Sequence, residues 1–449
     1  MKVFFLSLGC DKNRVDSERM LGLLEAAGFS FAEDEAEADI IVINTCCFID
    51  AAKEESINAV LEMAQYKETG HCRRLIVCGC LAERYKEEIR TELPEVDGVV
   101  GVNELPEIIK ACADPLPEMK KDTRDNPEAG AEKHASDVSD IKRVVTTGGH
   151  YEFLKIAEGC SKRCTYCIIP YIRGPYRSFD MDFLLKEAQS LAYSGVKELV
   201  VVAQETTVYG RDLYGKDMLP ELLEKLCRID GLKWIRLLYA YPEDITHELL
   251  AVMAEEEKIV KYIDMPIQHA SDPVLKKMGR RTTRAELTDK INLARRMVPQ
   301  LAIRTSLITG FPGETEEDHR ILLDFVEEMK FERLGTFMYS CEEGTPAASF
   351  PDQVPDEVKQ KRFDDIMSLQ EEISAQRNAG LTGKEFEVFV EGYLPEDDVY
   401  IGRTYMDSPD VDGYFYFRSP YELMSGDFVR AKATDAGEYD LYGEMEEKL

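Results

Sequence analysis

The chain has 449 residues, room for roughly two to four domains with cores of their own, and its 44% hydrophobic content excludes an intrinsically disordered protein. Its 55 Lys and Arg stand against 86 Asp and Glu, a net charge of −31 that repels nucleic acid and favours basic partners, unless it serves solubility alone. No apolar run approaches the roughly 18 residues of a membrane span. The apolar start, Met1 to Leu6, is too brief for a signal peptide before it reaches Gly9-Cys10, so a cytoplasmic protein without a membrane partner is expected.

Residues 1–112 alternate strands and helices. Lys2–Leu8 runs into Cys10, Ile40–Ile43 into Cys46 and Leu75–Cys78 into Cys80, with helical spacing over Ser17–Ala27, over about Ala51–Tyr66 and from about Leu81. Continuous Ile/Val-rich runs separated by helices predict a parallel sheet buried on both faces. Residues 113–142 are rich in charge, Pro and Ala and read as a linker or long surface loop. In 143–379, six candidate strands (Phe153–Ala157, Glu198–Ala203, Trp234–Tyr239, Tyr262–Met265, Ala302–Ile308, Leu334–Met338) alternate with helices such as Asp182–Tyr193 and Glu316–Met329, and Asp356–Asn378 closes the series. Such repetition predicts an open or closed βα barrel with its function at the C-terminal strand ends. Residues 380–449 change to short alternating runs (Glu385–Val390, Val399–Thr404, Gly413–Phe417, Asp427–Ala433), the pattern of a small all-β barrel. The fold class expected is α/β: a parallel-sheet domain, a partial (βα)6 barrel and a small OB-like barrel.

Twelve cysteines in a reducing compartment call for a use other than disulfides. Cys160, Cys164 and Cys167 fall within eight residues directly after a strand. Three thiolates can hold three irons of a cubane and leave the fourth open, whereas zinc would want a further His or Cys nearby, and none follows for more than fifty residues. Cys10, Cys46 and Cys80 each end a strand and precede a helix, so a parallel sheet would gather them on one edge. Small buried hydrophobes are the alternative for these three; Cys78 is expected to pack inside, and Cys72, Cys112, Cys227 and Cys341 to be structural.

The loop Cys160-Ser161-Lys162-Arg163-Cys164-Thr165-Tyr166-Cys167 resembles the radical S-adenosylmethionine superfamily, whose cofactor chelates the open iron of a 4Fe–4S cluster and yields a 5′-deoxyadenosyl radical. Leu8-Gly9-Cys10-Asp11-Lys12-Asn13, Asp16-Ser17-Glu18, Asn44-Thr45-Cys46, Gly79-Cys80-Leu81-Ala82-Glu83-Arg84 and Ile168-Ile169-Pro170-Tyr171-Ile172-Arg173-Gly174 resemble the methylthiotransferase family across nearly the whole chain. That resemblance implies an N-terminal methylthiotransferase domain at 1–112, a radical SAM core at 143–379 and a TRAM domain at 380–449. It also implies two 4Fe–4S clusters, the second on Cys10, Cys46 and Cys80 carrying the sulfur. Cys47 stands where the family often has Gly, which leaves Cys46 and Cys47 both open as the ligand.

The family divides between tRNA-modifying and ribosomal-protein-modifying branches. Residues 381–449 hold six Lys/Arg and 17 Asp/Glu, so the basic groove of an RNA-binding barrel is missing and a basic protein is the favoured partner. Cys10-Asp11-Lys12-Asn13, Gln268-His269-Ala270-Ser271-Asp272 and Asp407-Ser408-Pro409-Asp410-Val411-Asp412-Gly413 resemble the branch that methylthiolates the β-carbon of an aspartate in small-subunit ribosomal protein twelve. An external electron donor such as a flavodoxin or ferredoxin is implied, and tRNA is the alternative substrate. At the barrel strand ends, Tyr166, Gln204, Thr206, Gln268, Arg304 and Ser306 are candidates to contact S-adenosylmethionine or substrate, against ordinary packing. Gly310-Phe311-Pro312-Gly313-Glu314 reads as a turn capping the next helix. Arg173 and Arg177 could hold a carboxylate or stay solvated.

Overall fold

The computed structural model describes residues 1–113 and 143–449; the segment expected to be a linker lies, but for Ala113, outside them. The chain forms two compact units. The first comprises residues 1–146, 158–162 and 167–179, and the second 147–157, 163–166 and 180–449. Among the described residues no helix is long and apolar enough to cross a membrane.

The first unit is built on five parallel strands, β1 (Lys2–Ser7), β2 (Ser30–Phe31), β3 (Ile40–Thr45), β4 (Arg74–Gly79) and β5 (Gly98–Val100), in the order β2-β1-β3-β4-β5. Every residue of β3 and β4 is buried, because apolar layers cover both faces of the sheet. The helices α1 (Asp11–Ala26), α2 (Asp50–Ala64) and α3 (Cys80–Arg84) follow β1, β3 and β4. Helix α1 starts six residues earlier than its apolar spacing predicts, since Lys12, Asn13 and Asp16 are polar and yet buried.

In the second unit, β6 (Tyr151–Lys155), β7 (Glu198–Val202), β8 (Trp234–Leu237), β9 (Ile259–Asp264), β10 (Ala302–Thr309) and β11 (Arg333–Met338) pair in parallel and in chain order, an open sheet of six βα steps. Intervening helices are amphipathic and capped. In α4 (Met181–Tyr193) the Asp180 carboxylate accepts from two backbone N–H groups, and α5 (Glu316–Met329) opens on a Thr315/Asp318 capping box. Helix α6 (Asp356–Ala379) follows the last strand. The chain ends in a closed barrel of β12 (Glu385–Leu394), β13 (Val399–Arg403), β14 (Phe415–Arg418), β15 (Phe428–Ala436) and β16 (Leu441–Lys448), with one strand more than the sequence suggests. The barrel interior takes phenylalanines such as Phe389, Phe415 and Phe417. Tyr400, Tyr405, Tyr414 and Tyr416 are partly buried, and Tyr393, Tyr421 and Tyr442 are exposed.

Candidate metal centre

In a sheet ordered β2-β1-β3-β4-β5, successive connections leave β1 in opposite directions, and the crevice beyond the carboxyl ends of β1 and β3 is where such sheets bind ligands. Cys10 follows β1 as the N-cap of α1, Cys46 directly follows β3, and Cys80 directly follows β4 as the first residue of α3. Two glycines allow this crowding. A Cβ on Gly9 would stand 2.7 Å from Cβ and 3.2 Å from Sγ of Cys46, and one on Gly79 would meet Asn44 Oδ1 at 2.2 Å; both have positive φ.

Buried amides fasten the cysteine turns to each other. The Asn13 Nδ2 group donates to Leu8 O at 2.8 Å and Thr45 O at 3.0 Å, joining the turn before Cys10 to the turn before Cys46. Asn44 Nδ2 donates to Asn13 O at 2.9 Å and Ser17 Oγ at 2.8 Å. Ser56 Oγ accepts from Cys46 N and donates to Cys46 O, which holds the peptide groups on both sides of Cys46. Thr45 Oγ1 donates to Cys78 O, tying β3 to β4 one residue before each turn.

Arg173, expected to be solvated or to hold one carboxylate, is buried and multiply engaged. Its guanidinium donates to Asp16 at 2.9 Å, to Glu158 at 3.0 and 3.1 Å, to Asn13 Oδ1 at 2.8 Å and to Cys80 Sγ at 3.4 Å. Burial pushes the Cys80 thiol up to about 12; the Arg173 charge opposes this, and Cys10 and Cys46 add to it. Burial likewise raises Cys46, with Cys10 adding to the effect. Cys46 and Cys80 are therefore close enough to Cys10 to feel its charge, and Cys80 also feels Cys46. Cys46 lies against Gly9 and feels Cys10, while Cys47 shares an apolar cluster with Cys80 and feels Cys80 and Cys46. Among the described residues no three His, Cys, Asp or Glu side chains close on one point as a single ion requires. An all-thiol set on separate turns fits a larger iron–sulfur group, whose thiolates bind different irons.

On the eight-residue loop, Cys160 and Cys164 are buried and Cys167 is partly exposed. In the first unit, Cys160 N donates to Gly174 O at 3.1 Å, which holds the loop start against the turn after Arg173; Arg177 donates to Asn103 Oδ1 at 2.7 Å. In the second unit, Thr165 donates through N to Met278 O and through Oγ1 to Lys277 O, and Tyr166 packs on Val274, Met278 and Phe311.

The remaining strand-end residues differ in what they already do. Thr206 Oγ1 donates to Leu238 O and Tyr239 O, tying the β7 turn to the end of β8. Gln268 has a left-handed backbone (φ 71°) and bridges β10 at Leu307, so its side chain is set by a constrained turn. Gln204 is partly buried beyond β7. Arg304 donates to Asp264 at 2.9 Å, lies 3.5 Å from Asp412 and reaches Ser306 Oγ at 3.4 Å. Its charge is matched by carboxylates inside the unit. Glu314 does more than cap a turn: Oε2 accepts from Gly310 N and Phe311 N, while Oε1 lies 3.3 Å from Arg362.

Sequence reasoning gave no role to Asn13, Asp16, Asn44, Ser56 or Glu158. The available signal was proximity for Asn13, Asn44 and Glu158, each within three residues of a cysteine, whereas Asp16 and Ser56 lie a helical turn or more away and carried none. It also counted Asp407 and Asp412 as surface charge. Both are buried: Asp407 accepts from Arg333 and caps its own turn through Thr404, and Asp412 accepts from Tyr262 at 2.8 Å.

Residues 2–101 match the model of the uncharacterized protein family UPF0004, 154–326 that of the radical SAM superfamily and 382–445 that of the TRAM domain. Three relatives are each named ribosomal protein uS12 methylthiotransferase RimO. That of Lachnoclostridium phytofermentans is 56% identical over 99% of this chain and 100% of its own. Those of Acetivibrio thermocellus (50%, 99% and 98%) and Clostridioides difficile (48%, 99% and 99%) follow. Among solved structures, the radical S-adenosylmethionine methyltransferase TsrM of Kitasatospora setae, with tryptophan and a SAM analogue bound, is similar with TM-score 0.55 at 15% identity, over 82% of this chain and 89% of that one; this likeness speaks to the fold. Strand-end thiols, a three-cysteine loop after a barrel strand and full-length similarity agree: the chain belongs to the RimO family of radical SAM methylthiotransferases.

Proposed function

We propose that this enzyme transfers a methylthio group to the β-carbon of an aspartate in ribosomal protein uS12, using two 4Fe–4S clusters, one on Cys160, Cys164 and Cys167 and one on Cys10, Cys46 and Cys80. The observation that carries the reading is the second thiol set at the carboxyl ends of β1, β3 and β4, which a simple radical generator does not need. The relatives' shared name supports the substrate, as does the acidic C-terminal barrel. When bound, the cluster on the eight-residue loop with S-adenosylmethionine supplies the hydrogen-abstracting radical, and the cluster on the strand ends supplies the sulfur.

The chain's own residues hold and aim these groups. Gly9 and Gly79 let the strand-end turns close up, and Asn13 keeps the Cys10 and Cys46 turns in register. Tyr166, Gln204, Gln268 and Ser306 are the proposed contacts to S-adenosylmethionine; Thr206 and Arg304 support them through the bonds described above. The boundaries proposed for the three parts are 1–112, 143–379 and 380–449, joined by 113–142. A one-electron donor such as a flavodoxin or ferredoxin completes the system, and the cytoplasm is the proposed location.

A deletion strain tests the substrate, with masses of ribosomal proteins and of tRNA nucleosides measured side by side. Loss of one methylthio increment from uS12 with unchanged nucleosides is expected. Unchanged uS12 and a vanished methylthio-adenosine would establish the tRNA reading instead.

A further inference from the structure

Arg173 lies six residues after Cys167, in the sequence that follows the three-cysteine loop, yet its guanidinium donates to Cys80 of the strand-end set. We propose that Arg173 is a positioning residue for the strand-end cluster: it donates a hydrogen bond to the Cys80 sulfur and raises the reduction potential of the group that Cys10, Cys46 and Cys80 hold.

Three observations carry this. First, the guanidinium is 1% exposed, and an apolar residue of similar volume would fill the space without the cost of burying charge. Second, its fork is divided by chemistry. One terminal nitrogen serves Asp16 and Glu158, and the other serves Asn13 Oδ1 and Cys80 Sγ. Lysine, a point donor, could not hold both sides at once. Third, the partners tie Arg173 to both cysteine sets. Glu158 stands two residues before Cys160, Asp16 and Asn13 sit in the helix that Cys10 caps, and Asn13 also holds the Cys46 turn. An N–H donor and a positive charge beside a cluster thiolate both favour the reduced, more negative cluster, so removing them lowers the potential. The aim of the Cys80 sulfur loosens with it.

This rests on the reading that the strand-end thiols hold a 4Fe–4S group, and the test separates the two. The full chain with Cys160, Cys164 and Cys167 all changed to Ala is reconstituted anaerobically, its iron counted and its reduced signal followed by EPR in a redox titration. About four irons per chain are expected if the reading holds; none would end that reading and this role of Arg173 together, whereas a loaded site with an unmoved midpoint overturns the role of Arg173 alone. In the iron-loaded protein, Arg173→Gln is expected to shift the midpoint negative, and Arg173→Lys to recover part of the shift. An iron-loaded Arg173→Gln protein with the parent's midpoint overturns the proposal. Should that variant fail to fold, the parent grown on 15N-arginine decides: a weak hyperfine coupling from an arginine nitrogen to the reduced cluster is expected, and its absence overturns the proposal.

Discussion

Arg173 in the first unit and Arg403 in the second are both about 1% exposed and both flanked by carboxylates, but they differ in what lies at the end of their bonds. Arg403 donates to Glu198 at 2.5 Å, Glu391 at 2.6 Å and Asp407 O at 3.1 Å, while Arg236 donates to the same Glu198 at 2.7 Å and to Tyr405 O at 2.8 Å. Every one of those acceptors is oxygen. Glu198 begins a strand of the six-stranded sheet and Arg403 ends one in the C-terminal barrel, so this network fastens the two together. Arg173 spends one of its bonds on sulfur. A buried charge closed entirely by oxygen partners is scaffolding, whereas one that leaves a donor for a thiol points to the chemistry.

The largest way to break that comparison is to remove the shared carboxylate. Glu198→Ala leaves Arg236 and Arg403 buried without their common partner, a change of the kind that costs about 3–5 kcal/mol. Thermal and proteolytic unfolding of the holoprotein should move early. A loss below about 1 kcal/mol, the size of an exposed pair, would mean that the network does not fasten the barrel.

Asp407→Asn is milder. Arg333 donates to Asp407 Oδ1 through two nitrogens, and Thr404 donates to Oδ2 through N and Oγ1. The amide keeps the turn but turns one side from an acceptor into a donor facing a guanidinium. A loss of about 2 kcal/mol is expected, with the iron content unchanged.

The acid response gives a smaller, signed test. Burial acts to raise Glu198, but Arg403 and Arg236 overcome it and hold the carboxyl below its ordinary value; His150 and Arg403 do the same for Glu391. A carboxylate whose folded value is depressed contributes stability that is complete above the unfolded value, about 4.3 for Glu, and is lost as pH falls through the folded value. The melting temperature of the wild type should therefore fall more steeply below about pH 4.3 than that of Glu198→Gln. Equal slopes would remove Glu198 from the network's energetics.

How much of this was legible in the sequence depended on what the polar residues were doing. The helix Glu316–Met329 is read to the residue, because its apolar spacing and its Thr315/Asp318 cap agree. The Gly-Cys turns after β1 and β4 are equally plain. Residues 11–16 fall outside the expected helix because all but Val15 are polar, yet they form its first turns, with the Asn13 amide joining the Cys10 and Cys46 turns. Strands β2 and β5, of two and three residues, carry too little pattern to see. Leu441–Lys448 is missed because its alternation is charged outside and weakly apolar inside. Asp407 and Asp412 looked like surface acidity because their arginine partners, Arg333 and Arg304, are distant in sequence.

That last misreading sharpens the charge argument for the substrate. With Asp407 and Asp412 matched inside, the acidity available to a partner belongs to exposed residues such as Glu396 and Asp397 on the β12–β13 turn. These carboxylates have no buried charge to satisfy, so replacing both by Asn or Gln should leave the melting temperature where it is. If they steer a basic protein substrate, the same double variant should raise KM about two- to five-fold at low salt, and the difference should close as added salt screens it. A KM that is unchanged at low salt would assign the outer acidity to solubility, leaving only the buried acids of the barrel with a structural task.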